Sequence, residues 1–105
     1  SPYEPARRFL ASGDAIPDEI FAFSDTAAMA FIRAFREAGL RFPEDVSVVG
    51  YNDIPSAEYF SPPLTTVRQD NRQAGRLLVD KLMQMLDGLP AESATIETEL
   101  IVRQT

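Results

Sequence analysis

Residues 19–53 read EIFAFSDTAAMAFIRAFREAGLRFPEDVSVVGYND, and the change of apolar spacing inside this stretch decides the fold. Its opening, Glu19 to Phe23, is a short apolar run rich in β-formers, bounded by Pro17 before it and by Ser24 and Asp25 after it, and it predicts a buried strand. From Asp25 to Ala38 the spacing becomes helical: Ala28, Phe31, Ile32, Phe35 and Ala38 make one stripe, while Arg33, Arg36 and Glu37 fall elsewhere on the wheel. Ser24 or Asp25 can accept from the free N–H groups of the first turn, and Gly39 supplies a left-handed C-terminal cap. Past Pro43, Val46 to Tyr51 predicts a second buried strand that ends in Asn52 and Asp53. A strand, a helix and a second strand form a β-α-β unit, whose right-handed crossover opens the carboxyl ends of both strands on one edge of the sheet. Ser24, Asp25, Asn52 and Asp53 are therefore expected to line a common crevice.

Outward from this unit the pattern continues in the same class. Residues 3–11 place Ala6, Phe9 and Leu10 at helical spacing and predict the end of a helix stopped near Gly13. Residues 54–63, with three prolines and two aromatics, predict a loop with one helical turn, and residues 64–68 a third strand. Asp70 caps a predicted helix over 71–86, with Gln73 as its capping-box partner, Gly88 beyond its end, and a stripe of Ala74, Leu77, Leu78, Leu82 and Met85. Residues 95–103 favour a strand with Ile96, Leu100 and Val102 on one face and Glu97, Glu99 and Arg103 on the other. The fold class is α/β with a parallel sheet.

Composition removes several kinds of activity. Ten basic against sixteen acidic residues give a net charge of −6, which repels a phosphate backbone, so these residues are not expected to bind DNA by themselves. No apolar run approaches the roughly 20 residues that span a bilayer. The absence of Cys excludes disulfides and thiolate zinc sites, and the absence of His removes the usual general base and most transition-metal sites. No cofactor or metal is implied, and chemistry would have to run on carboxylates. The chain opens on Ser1 and Pro2 instead of Met, which predicts that upstream sequence belongs to the same protein.

The polar strand tips admit two readings. Open parallel sheets bind ligands at the carboxyl ends of their strands, so Ser24, Asp25, Asn52 and Asp53 can hold a polyol. Equally, Ser24 and Asp25 can simply cap a helix while Asn52 and Asp53 shape a turn. Two carboxylates can divide acid and base roles in glycoside cleavage, but nothing in this spacing enforces the separation needed. A phosphoryl-transfer receiver would need a Lys at its last strand, whereas Lys81, the single Lys, falls inside a predicted helix. No catalytic residue is assigned. Tyr51, Tyr59 and Phe60 flank the crevice and its loop as core, ring-packing or subunit-contact residues.

The run AFSDTAAMAFIRAFREAGLRFPEDVSVVGYNDIPSAEYFSPPLTTVRQD, residues 22–70, resembles the LacI/GalR regulators. Their pattern here is N/S-D-x-x-A, then G-L-x-x-P-x-D-V-S-V-V-G-Y/F-D-D, then P-P-L-T-T-V-x-Q, in the right order and at the right spacing over about residues 17–103. The resemblance implies a periplasmic-binding-protein-like effector domain of three α/β/α layers. Residues 1–68 would be part of its C-terminal lobe, and residues 69–105 a crossover helix and strand for the other lobe. It implies a cytoplasmic regulator, a repressor, that binds a sugar or nucleobase-like effector and reaches DNA only through an N-terminal helix-turn-helix outside this chain. Ser24 is similar to a ligand contact that is commonly Asn, and Asn52 to one that is commonly Asp; an amide donates as well as accepts, so the ligand's hydrogen-bonding pattern changes. Asn71 falls where relatives place an aromatic lid, and Asp25 and Asp53 complete the candidate ligand set. The resemblance further implies a homodimer through Met29, Arg33, Ser56, Tyr59 and Phe60. Without the other lobe, the apolar stripe of helix 71–86 is expected to repack onto the chain's own sheet or to exchange with a second copy. A secreted solute-binding protein of related fold is the alternative; it would carry a signal peptide upstream in place of the helix-turn-helix.

Overall fold

A computed structural model describes all 105 residues. The elements run α1 (Tyr3–Ala11), β1 (Glu19–Phe21), α2 (Asp25–Glu37), β2 (Ser47–Tyr51), α3 (Pro55–Tyr59), β3 (Thr65–Gln69), α4 (Asn71–Leu86) and β4 (Thr98–Ile101). The sheet has the order β1-β2-β3-β4, and β1, β2 and β3 are parallel, with Phe21 opposite Val49 and Val49 opposite Thr65. The α/β architecture read from the sequence is thus present, and so is the β-α-β unit at its centre.

The chain forms two compact units. The first comprises Ser1–Arg68 and Leu100–Thr105, the second Gln69–Glu99. In the first, α2 starts where Ser24 leaves the helix in extended conformation and its Oγ accepts from the Ala27 N–H at 3.1 Å. It ends before Gly39, whose φ of +89° needs no Cβ to be accommodated. The inner stripe of α2, with Ala28, Ile32 and Phe35, packs with Ala6 of α1 and Val46, Val48, Ala57 and Leu64 into one core. Phe9 of α1 stacks on Phe35 at a ring separation of 6.5 Å. Each large side chain buried this way contributes roughly 1.5–3 kcal/mol. Ala38, placed on that stripe by spacing, is exposed because the helix ends there.

Two strand expectations are corrected. The run at 19–23 is a strand only over Glu19–Phe21, and it is not buried on both faces: Ala22 turns into the core while Phe21 and Phe23 are 67% and 76% exposed. A continuous apolar run does not reveal that one of its faces is uncovered. At the other end, Leu100 and Val102 are exposed and the alternate residues Ile101, Arg103 and Thr105 turn inward. Hydrogen bonding drives that choice: Thr65 Oγ1 accepts from the Arg103 N–H at 3.0 Å, and Thr105 Oγ1 accepts from the Thr65 N–H at 2.9 Å while donating to the Val48 carbonyl at 2.6 Å. The same bonds place residues 100–105 in the first unit, whereas the sequence reading grouped them with 69–99.

In the second unit, Asp70 Oδ1 caps α4 by accepting from the Gln73 N–H at 3.0 Å, and Gly88 turns the chain at a φ of +75°. No residue of α4 is buried, and Leu78 and Leu86 are each 71% exposed. Capping and good helix formers favour the helix.

Candidate functional site

The tips of β1 and β2 do come together, through a carboxylate rather than beside one. Asp25, the first residue of α2, is 1% exposed. Its Oδ2 accepts from the Ile54 N–H at 2.7 Å and its Oδ1 from the Thr66 hydroxyl at 2.5 Å, so one side chain fastens the loop after β2 and the strand β3 to the start of α2. This close approach explains Gly50: a Cβ there would lie 2.3 Å from Asp25 Oδ1. Asp25, a candidate ligand contact by sequence, thus serves the scaffold, because both of its oxygens are spent and no surface of it faces outward.

Asn52 and Asp53 form the turn that follows β2. Both adopt positive φ, +103° and +51°, in a region that Asn and Asp tolerate better than other side chains. The Asn52 N–H donates to the Val67 carbonyl at 2.8 Å and the Asp53 N–H to Thr66 Oγ1 at 3.3 Å. Asp53 receives Arg68 Nη2 at 2.8 Å and Arg103 Nη2 at 2.9 Å. Burial pushes the Asp53 carboxyl up, but the hydrogen bonds from Arg68 and Arg103 outweigh it and hold the pKa below the ordinary value of 3.8. Asp53 is accordingly an internal ion-pair partner, which the sequence had placed among ligand contacts. Ser24 is half-buried with its hydroxyl facing the first turn of α2. Asn52 is exposed and its amide meets no partner within the chain. Asn71 is the exposed first residue of α4, in the second unit.

Sequence reading missed Thr66, Arg68 and Arg103. The spacing puts Arg103 on the face opposite Ile96, Leu100 and Val102, and that face turns inward here: the Arg103 side chain is 14% exposed and also donates from Nη1 to the Leu64 carbonyl at 2.8 Å. The signal available was the strand's alternation read in the opposite parity. Among the dimer candidates, Tyr59 is 82% exposed and Ser56 is exposed, while Met29 and Phe60 pack against the core and Arg36 lies over the Phe60 ring at 6.0 Å. Arg33 pairs with Glu37 at 3.1 Å and covers the Tyr3 ring.

The chain matches the family model of the periplasmic binding protein-like domain over residues 3–105. The chain belongs to that family. Within it, the chain is 41% identical over 107 residues to the HTH-type transcriptional repressor PurR of Photobacterium profundum, covering 100% of this chain and 32% of the relative. It superposes on the lac repressor dimer bound to operator and the anti-inducer ONPF with a TM-score of 0.90 at 33% identity, covering 99% of this chain and 36% of that one. A complex of the transcriptional regulator CelR with cellobiose gives a TM-score of 0.86 at 37% identity, with 99% and 32% covered. The resemblance to LacI/GalR regulators read from the sequence is thereby borne out, and the chain spans about a third of the length of the PurR relative. These relatives are transcriptional regulators. No helix of the chain is long and apolar enough to cross a membrane.

Proposed function

We propose that this member of the periplasmic binding protein-like family is the effector-sensing, dimerising part of a cytoplasmic LacI-type repressor. It binds a small molecule, a sugar or a nucleobase, and does not transform it. The supporting observation is the edge formed by Ser24 and Asn52: a turn held by backbone hydrogen bonds presents an exposed amide near the N-terminus of α2, with no His or metal-ligating cluster in the chain. An amide that both donates and accepts suits ligands with mixed hydrogen-bonding edges, such as nucleobases, as well as hydroxyls. DNA binding belongs to a helix-turn-helix elsewhere in the full protein, and effector binding acts by shifting a population of conformations.

The test is calorimetry on the full-length protein against lactose, cellobiose, sucrose, adenine, guanine and hypoxanthine. One class is expected to bind, with the affinity weakened but still measurable in Asn52→Ala. Turnover of any of these compounds, or binding indifferent to Asn52, refutes the reading.

Homodimerisation is proposed through Met29 and Arg33 of α2 and the segment with Ser56, the exposed Tyr59 and Phe60. Exchange of α4 between copies is proposed as the way its apolar face finds cover.

A further inference from the structure

The bend at Asn52 and Asp53 takes two consecutive non-glycine residues into a backbone region that is sparsely populated and persists only where neighbours over-determine it. Here the neighbours do so on every side. The three successive N–H groups of Asn52, Asp53 and Ile54 all donate, to the Val67 carbonyl, Thr66 Oγ1 and Asp25 Oδ2. The Asp53 carboxylate takes Arg68 on one oxygen and Arg103 on the other. Of the polar side chains in the turn, one is held and the other, the Asn52 amide, is left exposed.

The two arginines are not arbitrary anchors. Arg68 is the last residue before the chain passes into the second unit, and Arg103 follows its return at Leu100 by three residues. One carboxylate thus ties the turn bearing the exposed amide to the outgoing and the incoming passage of the chain. Charge-assisted, two-sided bonds of this kind fix a geometry more firmly than the neutral bonds around them.

We propose that Asp53 is a positioning residue of the effector site: by gripping Arg68 and Arg103 it locks the left-handed turn that presents the Asn52 amide. This rests on the reading of that edge as the effector site, so its test has an arm that needs no effector. Amide hydrogen exchange in the full-length protein reads the lock directly. Asp53→Asn is expected to speed exchange at residues 52–54 at least tenfold while the amides of α2 keep their wild-type rates, and Arg68→Gln to give an intermediate effect. Arg103→Gln covers the case in which Asp53→Asn does not fold. Unchanged exchange at 52–54 in these variants overturns the proposal.

The second arm uses calorimetry with whichever of lactose, cellobiose, adenine or hypoxanthine binds. Asp53→Asn is expected to weaken binding about tenfold in the wild-type background and to add nothing in the Asn52→Ala background. An equal loss in both backgrounds shows that Asp53 does not act through Asn52 and overturns the proposal. Binding of none of these four or of sucrose and guanine, with exchange accelerated as expected, counts against the effector reading and leaves the lock itself upheld.

Discussion

Asp53 makes the clearest pH prediction in the molecule. A carboxyl whose folded pKa is depressed binds fewer protons folded than unfolded, so its stabilisation is complete above the ordinary value of 3.8 and drains away as pH falls through the folded value. Removing the carboxylate leaves the largely buried Arg103 without its partner, a loss of about 1–3 kcal/mol. Urea unfolding of wild type and Asp53→Asn should therefore differ by that amount at pH 7, with the gap narrowing as pH falls below 3.8; a gap that acidification leaves unchanged refutes the ion-pair account. Gly50 carries a steric prediction. Gly50→Ala forces a Cβ against Asp25 Oδ1 and is expected to cost about 1–3 kcal/mol or more in unfolding free energy, the range of overpacked cores. At this scale the sequence identified positions 24, 25, 52 and 53 as neighbours, but it did not rank them. Which carboxylate is buried, and which one is ion-paired, depends on Thr66, Arg68 and Arg103, which lie far away in the chain and join the site only through the sheet register.

Among the elements, α2 was the most legible, because its stripe, its Ser24 cap and its Gly39 terminator agree with one another. Ser24→Ala is expected to lower stability by about 1 kcal/mol by orphaning the Ala27 N–H, and Phe35→Ala by about 3–5 kcal/mol through the cavity it leaves, both measurable by thermal unfolding. A Phe35→Ala loss below about 1 kcal/mol contradicts its place in the core. The strands were less legible. Periodicity locates β1 and β4, yet it does not say which parity faces inward, and along residues 100–105 Ile101, the Arg103 guanidinium and the Thr105 hydroxyl took the inner positions from Leu100 and Val102. Backbone groups that must be hydrogen-bonded outweighed the simple pairing of apolar residues with the interior. A strand assigned by its Leu and Val alone is prone to this inversion.

At the scale of the whole chain, the exposed α4 sets the expected behaviour in solution. The 105-residue chain should show concentration-dependent mass in sedimentation, reduced by Leu78→Glu with Leu82→Glu if α4 is exchanged and by Tyr59→Glu if the α3 surface is the contact. A monomer at all concentrations refutes both. Tyr59 is a better probe than Phe60, since charge at Phe60 would disturb the core as well. The division into units also has an outcome for limited proteolysis. Residues 69–99 form an insertion inside a first unit whose final stretch, through Thr105, is stitched to Val48 and Thr65. A single nick in the exposed segment 90–95 should therefore release nothing: the severed tail is retained, the two pieces co-elute from a sizing column under native conditions, and they separate only in denaturant.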